Sequence, residues 1–366
     1  MSQVIVAGGG PAGLAAAIAA RQAGLEVSVF DSARPLIDKA CGEGIMPDGL
    51  AALQRLGVTI PPKLARMFRG IRFLDESHSV EAAFTNGPGY GVPRVVLHEL
   101  LVNHAANLGV KLHWGARVTG ILGNTIEVDG GRVAFRFLVC ADGQNSLLRR
   151  KSGLFSATSE QLRYGFRRHY KVAPWTDFVE VHWAACGQMY VTPIAEDEVC
   201  VAYITRDLGT RFDAALPQFS KLARRLAGTE IAGATIGAVT ASRRVRRVQN
   251  GAVALLGEAA GSVDAVTGEG LSIAFHQAFA LAAAMRRNRL DEYQAAHAQI
   301  MRVPRSMAWL LLTLDQRQAF RRRVLGALER QHEAFESMLA IHTGSQSPLD
   351  FGVGQALRLG WNLIHA

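Results

Sequence analysis

Val4-Ile5-Val6-Ala7-Gly8-Gly9-Gly10-Pro11-Ala12-Gly13 runs from an apolar strand pattern through a glycine-rich turn into an alanine-rich helix pattern. Each glycine has a separate task in that reading. Gly8 permits the tight strand-to-helix turn, Gly10 lets backbone come close to a pyrophosphate, and Gly13, with Ala17 one turn later, lets the helix pack against a sheet. The unpaired N–H groups of the first helical turn, from Ala12 onward, form an anion site. A second apolar strand, Leu25 to Phe30, ends in Asp31, where an acid accepts bonds from the ribose hydroxyls of an adenosine. In this order the elements describe a Rossmann-like seat for a dinucleotide, and they leave open whether NAD or FAD fills it.

The totals agree with an ordered chain. At 366 residues, 49% hydrophobic and 19% charged, there is room for two packed modules sharing an interface. The sequence enters its first strand without a basic segment and apolar stretch ahead of it, so the expectation is a cytoplasmic protein. No uncharged apolar run approaches the ~18 to 20 residues that span a bilayer, the nearest being Ala308 to Leu314. The four cysteines, Cys41, Cys140, Cys186 and Cys200, form no C-x-x-C pair, so no metal site, iron–sulfur cluster or disulfide framework is expected. The net charge of +9 comes from runs such as Arg243, Arg244, Arg246 and Arg247, without interleaved stacking aromatics. Nucleic acid is therefore not an expected partner. An anionic ligand or a lipid surface would use the same charges.

The order of elements splits the nucleotide-binding unit. Residues 1–70, 93–155 and 245–290 read as that unit, with strands at Lys111 to Trp114, Val118 to Leu122, Phe135 to Cys140 and Val253 to Leu256 and a helix opened by Pro93-Arg94. Residues 71–92, a hairpin of Ile71 to Leu74 and Val80 to Phe84, join 156–244 in a mainly antiparallel sheet that is expected to be open on one face. Its strands read as Tyr164 to Lys171, Phe178 to Trp183, Met189 to Pro193 and Val199 to Thr205. Residues 291–366 form a C-terminal helical region. Its amphipathic end, Phe351 to Ile364, suits either a packed terminal helix or peripheral membrane contact, and the oligomeric state is not legible. The fold class is thus α/β, a Rossmann-like domain split in sequence around an inserted β-sheet substrate domain, with helices at the C-terminus.

Four separated features then coincide. They are the Gly8 fingerprint with Asp31, Pro93-Arg94, Cys140-Ala141-Asp142-Gly143, and Gly257-Glu258-Ala259-Ala260-Gly261 followed by Thr267-Gly268-Glu269-Gly270. Together they resemble the FAD-dependent monooxygenase superfamily of the para-hydroxybenzoate hydroxylase fold, and Cys41-Gly42-Glu43-Gly44 with Thr267 to Gly270 is most similar to its geranylgeranyl reductase-like branch. The resemblance implies FAD as cofactor. It places Gly8, Gly10, Pro11, Ala12, Gly13 and Asp31 at the adenosine diphosphate, with Arg94, Val118, Asp142, Gly143 and Glu258 along the chain of the cofactor. Cys41, Gly42, Gly44, Gly268, Gly270 and Leu271 would lie around the ring, where a helix N-terminus stabilises a reduced anionic flavin. Glu258 stands where the family usually has an aspartate.

For the reaction, the resemblance implies either hydroxylation of an aromatic or polyketide-like molecule by molecular oxygen through a flavin C4a-hydroperoxide, or reduction of isoprenoid double bonds. NAD(P)H would be a transient electron donor, since no second nucleotide fingerprint follows. Cys41 matches the reductase branch. The branch's Tyr-x-Trp-x-Phe-Pro pattern, however, survives only as Tyr190-Val191-Thr192-Pro193, which ranks oxygenation ahead of reduction. Flavin halogenases fit less well, because no lysine occurs between Lys63 and Lys111. Candidate catalytic groups are Cys41, His182 and Tyr190, with Tyr164, His169 and Thr192 on the same presumed substrate face. A flavin-binding protein without catalytic activity is the third reading.

Overall fold

The computed structural model describes residues 3–154, 161–350 and 352. Val4–Ala7 lies inside a six-stranded sheet ordered Gln249–Asn250, Val253–Leu255, Phe137–Cys140, Val4–Ala7, Val27–Asp31 and Lys111–Trp114. Every neighbouring pair is parallel except the first. Val4–Ala7 and Phe137–Cys140 are buried throughout, as parallel strands covered on both faces require. The helix Pro11–Gln22 packs against them with Leu14 to Ala20 all buried. Two glycines make that approach feasible. A Cβ on Gly13 would stand 1.9 Å from the Gly8 carbonyl oxygen, and one on Gly8, whose φ is +114°, would stand 2.2 Å from that of Ala141.

The second layer is an eight-stranded sheet ordered Gly261–Ser262, Glu230–Arg244, Gln161–Lys171, Glu198–Thr205, Gly187–Pro193, Phe178–Ala184, Gly70–Leu74 and Ser79–Ala83. It is antiparallel apart from the pair Phe178–Ala184 with Gly70–Leu74. The expected strand Val118–Leu122 belongs to neither sheet; with Thr125–Val128 and Gly131–Ala134 it makes a small antiparallel sheet of its own.

The large sheet is not open on one face. Val181 and Trp183 pack with Leu314, Leu325, Leu328 and Phe335 of the helices Arg302–Gln316, Gln318–Arg330 and His332–His342. On the other face Met189, Val191 and Tyr203 pack with Phe212 and Leu222 of two short helices, Phe212–Ala215 and Ser220–Leu226. Burial on both faces removes the alternation that a half-exposed strand shows. Among the described residues no helix is long and apolar enough to cross a membrane. The segment Phe351 to Ile364 lies, Gly352 aside, outside the described residues.

Candidate functional site

A cavity of about 640 Å³ opens where the carboxyl ends of the parallel strands meet the large sheet and the C-terminal helices. Such a position is where open α/β sheets take their ligands. Gly8, Gly10, Pro11, Ala12, Asp31, Arg94, Val118, Asp142, Gly143 and Glu258 line one end, and Cys41, Gly42, Gly44, Gly268, Gly270 and Leu271 line the middle. Of the residues expected around a cofactor, Gly13 alone stands back from the wall, held there by its contact with Gly8.

At the first end the acids organise backbone. Asp31 accepts from the N–H of Gly9 at 2.6 Å and of Ala33 at 2.7 Å, which fixes the glycine turn. His98, fully buried, places Nε2 2.9 Å from the Gly9 carbonyl while Nδ1 faces the Ile37 N–H at 3.5 Å. The carbonyl can only accept and the amide can only donate, so the ring is the Nε2–H tautomer; burial, with the Arg94 charge, holds its pKa below the usual value. Asp142 accepts from the Ser146 hydroxyl at 2.5 Å and the Leu148 N–H at 3.1 Å, so it caps the turn after its strand while still lining the cavity. Glu258 pairs with Lys39 at 2.8 Å, both about two-fifths exposed, so the pair is easily rearranged.

The loop Cys41 to Gly44 hangs on Glu43, a residue with φ +58° and almost no exposure. One carboxylate oxygen accepts from the Arg94 N–H at 2.9 Å and Arg167 at 2.7 Å; the other meets His169 Nε2 at 2.7 Å. Burial alone would raise this carboxyl, but His169, the Arg94 N–H and Arg167 outweigh it and hold it below the ordinary carboxylate range. Arg167 also forks onto Asp38 at 2.8 and 3.1 Å. Glu43, His169 and Cys200 bring potential ligand atoms within 4.8 Å of one another. The guanidinium already seated on Glu43 opposes a cation there, and burial pushes the Cys200 thiol up, away from the thiolate a metal needs. The cluster is a clamp that holds the Cys41 loop against the sheet. Cys41 itself is half-buried on the cavity wall, its sulfur 3.4 Å from the Glu43 N–H.

The third part of the cavity is apolar. Ile71, Phe73, Val179 and Val181 of the sheet face Leu310, Leu311, Phe335, Met338 and Leu339 of the C-terminal helices. Tyr190 and Thr192 lie on this wall, but the Tyr190 hydroxyl donates to the Val266 carbonyl at 2.9 Å and burial pushes its pKa up. It is a pinned neutral phenol that shapes the wall.

His182 is not on that wall. Val181 pairs with Tyr190, and His182 with Met189, so the one-residue step turns His182 to the opposite face of the sheet. There it meets Glu180 at 2.9 Å and lines a separate cavity with Arg72, Lys221, Arg224 and Arg225. A catalytic role for His182 in the main cavity is therefore withdrawn. Tyr164 does not line the cavity, and His169 serves the Glu43 clamp. Sequence reasoning missed Glu43, Arg167, Glu269, His342 and the helix residues of the apolar arm. For the two glutamates a signal was there: each stands between glycines, where a charged side chain has no local packing reason.

The geometry fits FAD. Gly10, Gly42, Gly268 and Gly270 line the cavity, and a Cβ added to any of them would meet nothing within 4 Å, so these glycines leave room for something other than protein. Arg94 Nε is buried on the same wall without a protein partner among the described residues. Two helices, Pro11–Gln22 and Gly270–Arg286, begin at the cavity and offer N–H groups to an anion.

Comparison with known proteins agrees. The chain is similar, at 35% identity over 164 residues, to a menaquinone reductase of Mycolicibacterium smegmatis, in a match spanning 42% of this chain and 40% of that protein. The chain thus spans well under two thirds of that relative's length. It is 28% identical over 238 residues to the putative FAD-dependent monooxygenase YetM of Bacillus subtilis, covering 58% of this chain and 64% of that one. With digeranylgeranylglycerophospholipid reductase 1 of Methanopyrus kandleri it shares 27% over 294 residues, 74% of this chain and 76% of that one. A flavoprotein/dehydrogenase from Cytophaga hutchinsonii superposes over 100% of both chains with a TM-score of 0.84 at 17% identity, which shows a shared fold. A family described as FAD binding domain matches residues 1–302, and the chain belongs to this family of FAD-dependent oxidoreductases.

Proposed function

We propose that this protein is an FAD-dependent reductase of an elongated apolar substrate, of the isoprenoid-chain type. The observation that carries the reading is the apolar arm of the cavity between Ile71, Phe73, Val179 and Val181 and the helix residues Leu310, Leu311, Phe335, Met338 and Leu339. Aliphatic, aromatic and thioether groups favour a hydrocarbon chain. The motifs ranked oxygenation first; this arm supports the reverse order. So do relatives named for reduction of menaquinone and of a digeranylgeranyl lipid, both of which carry isoprenoid chains.

When bound, FAD supplies hydride chemistry at its ring. The protein's part is to hold it. The glycine turns at Gly8 to Ala12 and Gly268 to Leu271 would offer it N–H groups, Arg94 and Glu258 would hold it with their charges, and the Glu43 clamp fixes the Cys41 loop on the same cavity wall. NAD(P)H remains the proposed transient donor. A role for Cys41 as proton donor or flavin attachment point is also a proposal: if Cys41→Ala turns over unchanged and the flavin is released by acid, neither chemical role holds.

Hydroxylation is the second reading, favoured by the similarity to YetM. Anaerobic incubation of the flavin-loaded protein with NAD(P)H and prenylated substrates separates the two. Saturated product without oxygen supports the reductase, whereas a hydroxylated product formed only with oxygen uptake supports the alternative.

A further inference from the structure

Resting on the reductase reading, we infer that Glu269, in place of the Cys41 thiol, is a neutral carboxylic acid that delivers the proton accompanying hydride addition in the cavity, with His342 as the neighbour that holds it in the acid form.

His342 Nε2 lies 3.1 Å from the Thr267 carbonyl oxygen, which can only accept, so Nε2 carries the hydrogen. Burial holds the His342 pKa below the usual value, against the Thr267 carbonyl and the Asp48 charge, which favours the neutral ring with Nδ1 as an acceptor. Nδ1 faces Glu269 Oε2 at 3.6 Å, with no other partner for either atom among the described residues. An ionised carboxylate there would set one acceptor against another in a buried place. A protonated Glu269 gives Nδ1 the donor it lacks.

The surroundings agree from each side. Glu269 precedes the helix Gly270–Arg286 and is 4% exposed on the cavity wall. Asp48, on the helix Pro47–Arg55, opposes its charge; Asp48 Oδ2 accepts from the Ser272 hydroxyl and faces His276 at 3.9 Å, while Oδ1 is buried without a partner among the described residues. Burial and Asp48 together push the Glu269 carboxyl well above the ordinary range, against the Thr267 hydroxyl, which favours ionisation. No cationic side chain is recorded against it among the described residues, so Asp48, His342 and Thr267 are the groups that set its state.

The step balances. Saturating a carbon–carbon double bond takes a hydride, from flavin kept reduced by a nicotinamide donor, onto one carbon. The π pair then forms a C–H bond at the other carbon with the Glu269 proton as the O–H bond breaks. The carboxylate left behind regains its proton from solvent before the next turnover.

The test uses FAD-loaded protein and has two readouts. The first is infrared difference spectroscopy between wild type and Glu269→Gln or Glu269→Asp without substrate. The expected result is a neutral-acid carbonyl band at neutral pH that is absent in Glu269→Gln and shifted in Glu269→Asp. A spectrum showing only carboxylate overturns the inference whatever the substrate is. The second is turnover in deuterated water with a geranylgeranyl lipid and a prenylated naphthoquinone. Wild type should place one solvent deuteron in each saturated bond. With the flavin reduced chemically beforehand, Glu269→Gln should saturate about a hundredfold more slowly than wild type or worse, and Glu269→Asp should recover part of the loss with a shifted pH profile. Equal saturation rates in wild type and Glu269→Gln overturn the inference while the reductase reading stands. A neutral-acid band in a wild type that saturates neither lipid overturns the reading, and the donor role with it.

Discussion

Replacing Gly10 by alanine separates a glycine kept for a ligand from one kept for the fold. Gly10 has φ −70° and ψ 175°, extended backbone that alanine adopts freely, and a Cβ there meets nothing within 4 Å. Losing glycine from the unfolded chain gains about 0.4–1 kcal/mol, and exchanging glycine for alanine at an N-cap costs a comparable few tenths to about 1 kcal/mol. The apo protein should therefore melt within about 1 kcal/mol of wild type. The new methyl occupies the space beside the N–H groups that would meet the diphosphate. Displacing one hydrogen bond to a charged oxygen costs about 1.5–3 kcal/mol, or roughly 10- to 150-fold in FAD affinity. Gly13→Ala is the control, because its Cβ would stand 1.9 Å from the Gly8 carbonyl oxygen and the fold itself must shift. Thermal melts of the apo proteins and FAD titrations read both effects. Wild-type FAD affinity in Gly10→Ala, or a stability loss equal to that of Gly13→Ala, refutes the assignment of Gly10 to the ligand.

Removing Glu43 by Glu43→Ala leaves Arg167 short of a buried partner and should cost about 3–5 kcal/mol in urea unfolding. Because the folded Glu43 pKa lies below its unfolded value, its stabilisation is complete above the ordinary carboxylate value and is lost as the pH falls through the lower folded one. Wild type should lose both stability and flavin in that acid window, and Glu43→Gln should show a flatter profile there. Val181→Phe intrudes on the apolar arm at about 1–3 kcal/mol of overpacking; KM for a long-chain substrate should rise with FAD affinity unchanged. His182→Ala, on the far face of the sheet, should leave kcat/KM within about twofold while lowering stability by about 1–3 kcal/mol, since the buried Glu180 loses one of its partners.

What could be read from the chain divides along physical lines. Gly8, Gly13 and Asp31 were legible because a tight turn, a helix resting on backbone and an acid at a strand end each demand a residue type whatever surrounds them. The faces of the large sheet were not. His182 and Tyr190 both sit on apolar strands, and with helices on each side no alternation marks which residues look into the cavity; only the pairing of Val181 with Tyr190 decides it. The apolar arm was hidden for a related reason. Leu310, Leu311, Phe335, Met338 and Leu339 have the spacing of ordinary core residues, and a helix face that lines a cavity looks in sequence like one that fills it. Glu43 and Glu269 were quoted within their glycine motifs, but their roles depend on Arg167, His169 and His342, which arrive from distant segments.

The central claim is that FAD bound here reduces an isoprenoid-type chain held in the apolar arm. Its most direct test is mass spectrometry of a prenylated lipid incubated anaerobically with the flavin-loaded protein and NAD(P)H. The account predicts a product heavier by two hydrogen atoms for each saturated bond, formed without oxygen. An unchanged lipid under those conditions, with a product heavier by one oxygen atom once air is admitted, contradicts it.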